Sequence, residues 1–237
     1  MQKPVALVFG GTGTVGSEVL RGLAEAGVQT AFTYHRAHDR AQSLAGAFGQ
    51  RALQIDLSQP AAIRSLIKKL AADGLSPDVF IHCAAVAQSA PLERITDDDW
   101  RLVQAVNCQA PLVACQELAP AMRERKRGSV VLVGALDRAQ SLPMPIAFAA
   151  SQGMLSAMTM ALAKELGPHG ICVNMVALGL LDAGLSRGLS EKAHADFRQF
   201  SALHRAGTAR EAARAILFLA LENTYMNGKV MPINGGI

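Results

Sequence analysis

Short runs of apolar, often β-branched residues alternate along the chain with longer stretches whose apolar positions recur at helical spacing. The strand-like runs are VALVFG from Val5, QTAFTY from Gln29, ALQIDL from Ala52, DVFIHCAA from Asp78, SVVLVG from Ser129 and ICVNMVALG from Ile171. Helical patterns lie between them: VGSEVLRGLAEAG, RAQSLAGAFG, AAIRSLIKKLAADG, the long DDDWRLVQAVNCQAPLVACQELAPAMRERKR, and FAASQGMLSAMTMALAKEL. Near the carboxyl end TAREAARAILFLA adds a helix, and GKVMPINGG a last strand closed by glycines. Strands that are apolar throughout are buried on both faces, and strand–helix alternation requires right-handed crossovers. The pattern predicts an α/β fold of the Rossmann type, a doubly wound parallel sheet. No repeat, low-complexity tract or linker interrupts it, so residues 1–237 read as a single domain. The stretch 182–205 is polar and weakly helical. It follows the carboxyl end of a strand, where ligands bind in such sheets, and is expected to be a lid over the cleft.

Composition narrows the partners. Half of the residues are hydrophobic, 18% are charged and 5% aromatic, so the core is built from aliphatic residues. The formal charge of +4 has one local concentration, MRERKRG. Basic residues in a helix's last turn complement its dipole, with Gly128 expected to end that helix, so no nucleic-acid partner is expected. Cys83, Cys108, Cys115 and Cys172 form no CxxC pair and no zinc-ligand spacing, which reads as free thiols without a metal. The first apolar run is too short for a signal sequence, and no stretch reads as reaching the roughly 18 apolar residues that span a bilayer. A soluble, cytoplasmic protein with no membrane association is expected.

VFGGTGTVGSE follows the first strand and opens the first helix, so Gly10 and Gly16 let backbone amides at the helix start face a pyrophosphate. The second strand ends at TYHRAHDR, where an acidic side chain would bind the 2′-hydroxyl of NAD. His35 and Arg36 stand there instead. A cation suits the 2′-phosphate of NADP; Arg36 could equally be a solvated surface residue. Asp56 is placed to meet the adenine amino group or to cap the next helix.

With these elements in order, the chain resembles the short-chain dehydrogenase/reductase family over nearly its whole length, most closely the ketoacyl-carrier-protein reductase-like members. The likeness is carried by the Gly10–Gly16 turn, DL at 56–57, VN at 106–107, GSVVLVGA, ASQGMLSAMTMALAKELGPHGICVN and NGKVMPINGG. It implies cofactor contacts from Gly10, Thr12, Thr14, Val15, Gly16, Arg36, Asp56, Leu57 and Ala84. In that family a Ser, a Tyr and a Lys, helped by an Asn, carry the chemistry. The Tyr hydroxyl exchanges a proton with the substrate oxygen as hydride moves; the Lys lowers its pKa and holds the nicotinamide ribose. Here the Asn position matches Asn107, but the Ser, Tyr and Lys positions fall on Ala135, Phe148 and Gln152. Other departures are Phe9 and Thr14 in the glycine motif, Cys83-Ala84-Ala85 for its Asn-Ala-Gly, and Leu178 and Ala183 for its Pro and Thr. Each triad replacement keeps approximate size while removing reactivity. The resemblance thus implies a catalytically degenerate chain with weakened or lost NADP binding.

Met154, Leu155, Ala157, Met158, Met160, Ala161 and Leu162 cover more than one face of the Phe148 helix, as in a helix buried on both sides. In the resembled family this helix and the Asn-bearing one pair across a subunit interface, which implies an oligomer. Three readings follow. The first is a non-catalytic subunit assembled with an intact paralogue into a heteromeric NAD(P)-dependent oxidoreductase acting on a hydroxy, keto or acyl-thioester substrate. The second is an active NADP-dependent ketoreductase with a relocated proton donor among His82, Cys83, Asp137 and Ser151. The duller roles of these residues are hydrogen-bonded strand terminus for His82, turn former for Asp137 and packed residue for Ser151. The third is a homo-oligomeric sensor of NADP(H) or an acyl ligand.

Overall fold

The computed structural model describes residues 4–88, 90–135 and 144–237. Every residue of the first strand, β1 (Val5–Phe9), is buried, because helices cover the sheet on both sides. The order continues α1 (Thr14–Glu25), β2 (Gln29–Tyr34), α2 (His38–Phe48), β3 (Arg51–Gln54), α3 (Pro60–Ala72), β4 (Val79–His82), α4 (Asp97–Gln104), α5 (Ala110–Arg125) and β5 (Gly128–Ala135). Then come α6 (Ile146–Leu166), β6 (Ile171–Leu178), α7 (Glu191–Phe200), α8 (Ala209–Leu217) and β7 (Val230–Ile233). The seven strands run parallel in the order β3-β2-β1-β4-β5-β6-β7. The order reverses between β1 and β4, which opens a crevice beyond their carboxyl ends.

One core layer joins Phe9, Phe80, Leu132 and Leu155 under α3, α5 and α6; the other joins Val8, Ile81, Val176 and Leu20 under α1 and α8. Local chemistry sets the helix starts. Pro60 opens α3, and the pairs Thr96/Asp99 and Thr208/Glu211 form capping boxes on α4 and α8.

Three expectations change. The long pattern from Asp97 is interrupted by a π-helical turn, Ala105–Gln109, between α4 and α5. Gly128 does not end α5: Lys126 does, in the left-handed region at φ 51°, while Gly128 opens β5 where a Cβ would stand 2.7 Å from the sulfur of Met122. The basic cluster there is spent in ion pairs, Arg125 and Arg127 with Asp78 and Arg123 with Glu165. Finally, Ile146–His169 is long and apolar enough to cross a bilayer by length and composition, at mean hydropathy 1.4 with 39% of its most apolar window buried inside the chain. Alanines between the large apolar residues keep that average high. The helix lies on β5 and β6 and against α4, and buries Ser151, Gln152 and Thr159.

Candidate active site

The glycine turn is held from two sides. The Gly10 amide donates to the Thr33 hydroxyl at 3.1 Å and the Gly11 amide to the Thr33 carbonyl at 2.9 Å. Gly10 itself lies at φ 78°, and a Cβ there would stand 2.7 Å from the Ala84 nitrogen; on Gly16 it would overlap the Gly10 carbonyl. Only glycine fits either place. The first-turn amides of α1 lack helical partners, no side chain caps them, and no acidic residue lies in that turn. They form a site suited to an anion. Thr12 and Val15 are half-buried beside it, with Val15 packed on the core.

Next to this turn, the ends of β2 and β3 form an open depression lined by His35, Gln54, Ile55, Asp56, Ala62, Ser65 and Leu66. Arg36 is exposed at its rim. Arg40, which sequence pattern did not mark, donates to the Ser17 hydroxyl at 3.3 Å and so stands beside the start of α1. Only its position one helical turn past Arg36 hinted at this. Asp56 does not cap α3, whose N-cap is Gln59; one carboxylate oxygen accepts from the Ser58 hydroxyl at 2.7 Å and the Ser58 amide at 2.9 Å. Those two bonds, aided by the charges of His35 and Arg36 and opposed by partial burial, hold its pKa below the usual carboxylate value. Leu57 packs against the core beside it, and Ala84 does so across the turn.

The other end of the crevice is a closed hydrogen-bond chain. The π-turn aims Asn107 inward, where it is 1% exposed. Its carbonyl accepts from the Val86 amide at 2.8 Å, and its amide donates to the Val86 carbonyl and to the Ser151 hydroxyl, both at 3.0 Å. Ser151 also accepts from the Gln152 amide at 3.0 Å and donates to the Phe148 carbonyl at 2.6 Å. The Gln152 carbonyl accepts from the Ala135 amide at 2.8 Å. Thus four of the sequence-marked positions, Asn107, Ala135, Phe148 and Gln152, do meet, and Ser151 is the hub that joins them. A hydroxyl that accepts two bonds and donates one has no capacity left.

The remaining named donors have little proton chemistry to offer. Burial, opposed by the backbone of Val106, pushes the His82 imidazole down to about 3. Of the expected hydrogen bonding only the approach of the Val106 backbone remains: among the described residues neither ring nitrogen has a partner in strict hydrogen-bond geometry. Burial pushes the Cys83 thiol up to about 12. Asp137 lies outside the described residues. Among the described residues no group of His, Cys, Asp and Glu could hold a metal ion.

The expected lid is pinned at both ends by a bridge between Leu181 and Gly207, and contains a 3₁₀ turn, Gly184–Gly188, followed by α7. Phe197 of α7 is buried at Gly179, where a Cβ would stand 3.1 Å from its ring. Gly184, at φ 80°, rests against Thr14: a Cβ there would stand 3.1 Å from the threonine hydroxyl.

A seven-stranded parallel sheet with a glycine turn at its switch point and an Asn-bearing helix beside it defines a class. A family model described as enoyl-(acyl carrier protein) reductase matches residues 12–237, and the chain belongs to the short-chain dehydrogenase/reductase family, on its ketoacyl-carrier-protein-reductase-like side. It is similar to 3-oxoacyl-[acyl-carrier-protein] reductase FabG of Escherichia coli, at 26% identity over 98% of this chain and 96% of that one. FabG of Thermotoga maritima is 32% identical over 74% and 72% of the two chains. Among solved structures, a blue fluorescent protein from a metagenomic library in complex with NADPH superposes at TM-score 0.90 with 30% identity, covering 98% and 97%. A short-chain dehydrogenase/reductase from Serratia marcescens does so at 0.89 with 28% identity, covering 99% and 98%.

Proposed function

We propose that this chain is a non-catalytic member of its oxidoreductase family, a subunit that assembles with an intact paralogue into a heteromeric NAD(P)-dependent reductase or dehydrogenase. The single observation carrying this reading is the hydrogen-bond chain from Val86 through Asn107, Ser151 and Gln152 to Ala135. It consumes the polar groups at the positions where the family moves a proton. Phe148, at the Tyr position, has no hydroxyl, and losing a general acid costs about 10²- to 10⁴-fold. Losing an oxyanion donor at Ala135 costs about 10²- to 10³-fold, though the two do not simply add. The buried neutral imidazole of His82, the unionised thiol of Cys83 and the saturated hydroxyl of Ser151 speak against a relocated donor among the described residues.

NADP is the cofactor the remaining residues fit, through Arg36 and Arg40 toward a 2′-phosphate, Asp56 toward adenine and the α1 amides toward a 5′-phosphate. When bound, such a group supplies or accepts hydride at its nicotinamide; the residues here would only hold it. The partner surface is the outer face of α6, where Ile146, Met154 and Met160 are 47%, 47% and 45% exposed, together with Leu112 of α5.

The test is to purify the tagged protein from its own cells and determine the intact mass of the complex. A stoichiometric second chain bearing the Ser, Tyr and Lys is expected, with NADPH turnover that disappears when that chain's Tyr is changed. A complex containing this chain alone, turning over NADPH, would overturn the reading.

A further inference from the structure

We infer that the nucleotide site of this chain is a half-site: it takes an adenosine phosphate bearing a 2′-phosphate, and the nicotinamide half of a dinucleotide adds nothing to binding. The inference rests on the nucleotide-binding reading above and concerns which part of the nucleotide is held.

The adenosine half fits. Both bonds from Ser58 fall on one carboxylate oxygen of Asp56, leaving the other to accept from an exocyclic amine. Arg36 makes no hydrogen bond or ion pair among the described residues, and Arg40 holds its guanidinium at the start of α1 through Ser17. Arg40 at that helix end and Arg36 beside Asp56 suit a phosphate on the ribose, since guanidinium groups bind phosphate by paired charge-assisted bonds. The uncapped first turn of α1 takes a second phosphate.

The nicotinamide half does not fit. A dinucleotide must continue from the α1 amides toward α6, past the first helical residue, Thr14. Its side chain faces the strap after β6, where a Cβ on Gly184 would stand 3.1 Å from the threonine hydroxyl. The absence of a Cβ on Gly184, at φ 80°, is what lets the strap come so near. Beyond the strap, the Ala135 amide is engaged by Gln152, Ser151 is saturated, and Phe148 is buried at 8% exposure. A ribose and carboxamide placed there would find none of these three described groups free, and polar groups buried without partners oppose binding.

The test is titration calorimetry on the full chain carrying Met154→Lys and Ala157→Glu on the outer face of α6, so that no partner's site contributes, with 2′,5′-ADP, 5′-ADP, NADPH and nicotinamide mononucleotide as probes. NADPH and 2′,5′-ADP are expected to bind within about threefold of each other, 5′-ADP about tenfold more weakly or less, and the mononucleotide not at all. Thr14→Gly is expected to tighten NADPH by about fivefold or more while leaving 2′,5′-ADP unchanged. Arg40→Ala should weaken 2′,5′-ADP by about five- to tenfold and leave 5′-ADP unchanged. NADPH binding more than about tenfold tighter than 2′,5′-ADP, or binding of the mononucleotide, would overturn the half-site. Absence of all binding would overturn it too, while the heteromeric assembly, read by mass, would stand untouched.

Discussion

At residue 152 an amide side chain does what neither a lysine nor an alanine could. Its carbonyl oxygen accepts from the end of β5 at Ala135 while its nitrogen donates to Ser151, inside a site where Gln152 is 5% exposed. Gln152→Ala leaves the Ala135 amide without its acceptor and opens a cavity, so it is expected to cost about 2–3 kcal/mol. Gln152→Lys should cost at least as much, because an ammonium cannot accept from Ala135. Both would be read as a lower urea midpoint at unchanged slope. His82 offers a separate check by pH. Its pKa is about 3 in the fold and 6.5 in the open chain, so between those values the unfolded state binds one more proton. Stability from this group is full above the unfolded value and falls, by about 1.4 kcal/mol per pH unit, as the medium is acidified toward pH 3. His82→Asn should remove roughly that slope between about pH 6 and pH 4 in denaturant titrations. Of these residues, sequence marked Asn107, Ala135, Phe148 and Gln152 by type and spacing. It did not mark Ser151 as their hub, because the bond to Asn107 joins positions 44 apart and depends on how two helices pack.

Two elements carry the structural consequences. Helix α6 turns Ser151, Gln152, Leu155 and Thr159 inward and leaves Ile146, Met154, Ala157 and Met160 outside. That outer face is apolar, and a docking partner would bury it. Changing Met154→Lys together with Ala157→Glu should therefore leave the single-chain fold intact while reducing the native mass to that of the 25.0 kDa chain. Strand β4 is anchored differently. The Asp78 carboxylate, 9% exposed, accepts from Arg125 at 3.0 Å and Arg127 at 2.8 Å, tying the strand's start to the end of α5. Asp78→Asn keeps the shape but removes the charge, and should cost about 1–3 kcal/mol, measured by thermal or urea unfolding. Strand and helix order was legible from periodicity alone. The π-turn at Ala105–Gln109 was not, since one extra residue per turn shifts no apolar position far enough to be noticed. Nor was the strap's closeness to Thr14, which depends on two glycine-bearing segments 170 residues apart (Thr14 and Gly184).

In the whole molecule, the strand order sets the two ends of the crevice apart: β2 and β3 build the end with His35 and Asp56, while β5 and α6 build the sealed end. Binding and chemistry can therefore be lost separately, and here the sealed end is also the one nearest the exposed face of α6. That face has a consequence for how much of the protein a cell can keep. On the heteromeric reading, a chain made in excess of its partner would display the exposed Ile146, Met154 and Met160 of α6, a surface that chaperones and proteases recognise as unfinished. Its abundance would then track the synthesis of the partner rather than its own transcription. Expressed alone it should be short-lived or form inclusions; co-expressed with the partner, it should persist in soluble form, as a pulse-chase comparison would reveal. On the heteromeric reading proposed above, such a dependence would set a built-in ceiling on the chain's own stoichiometry.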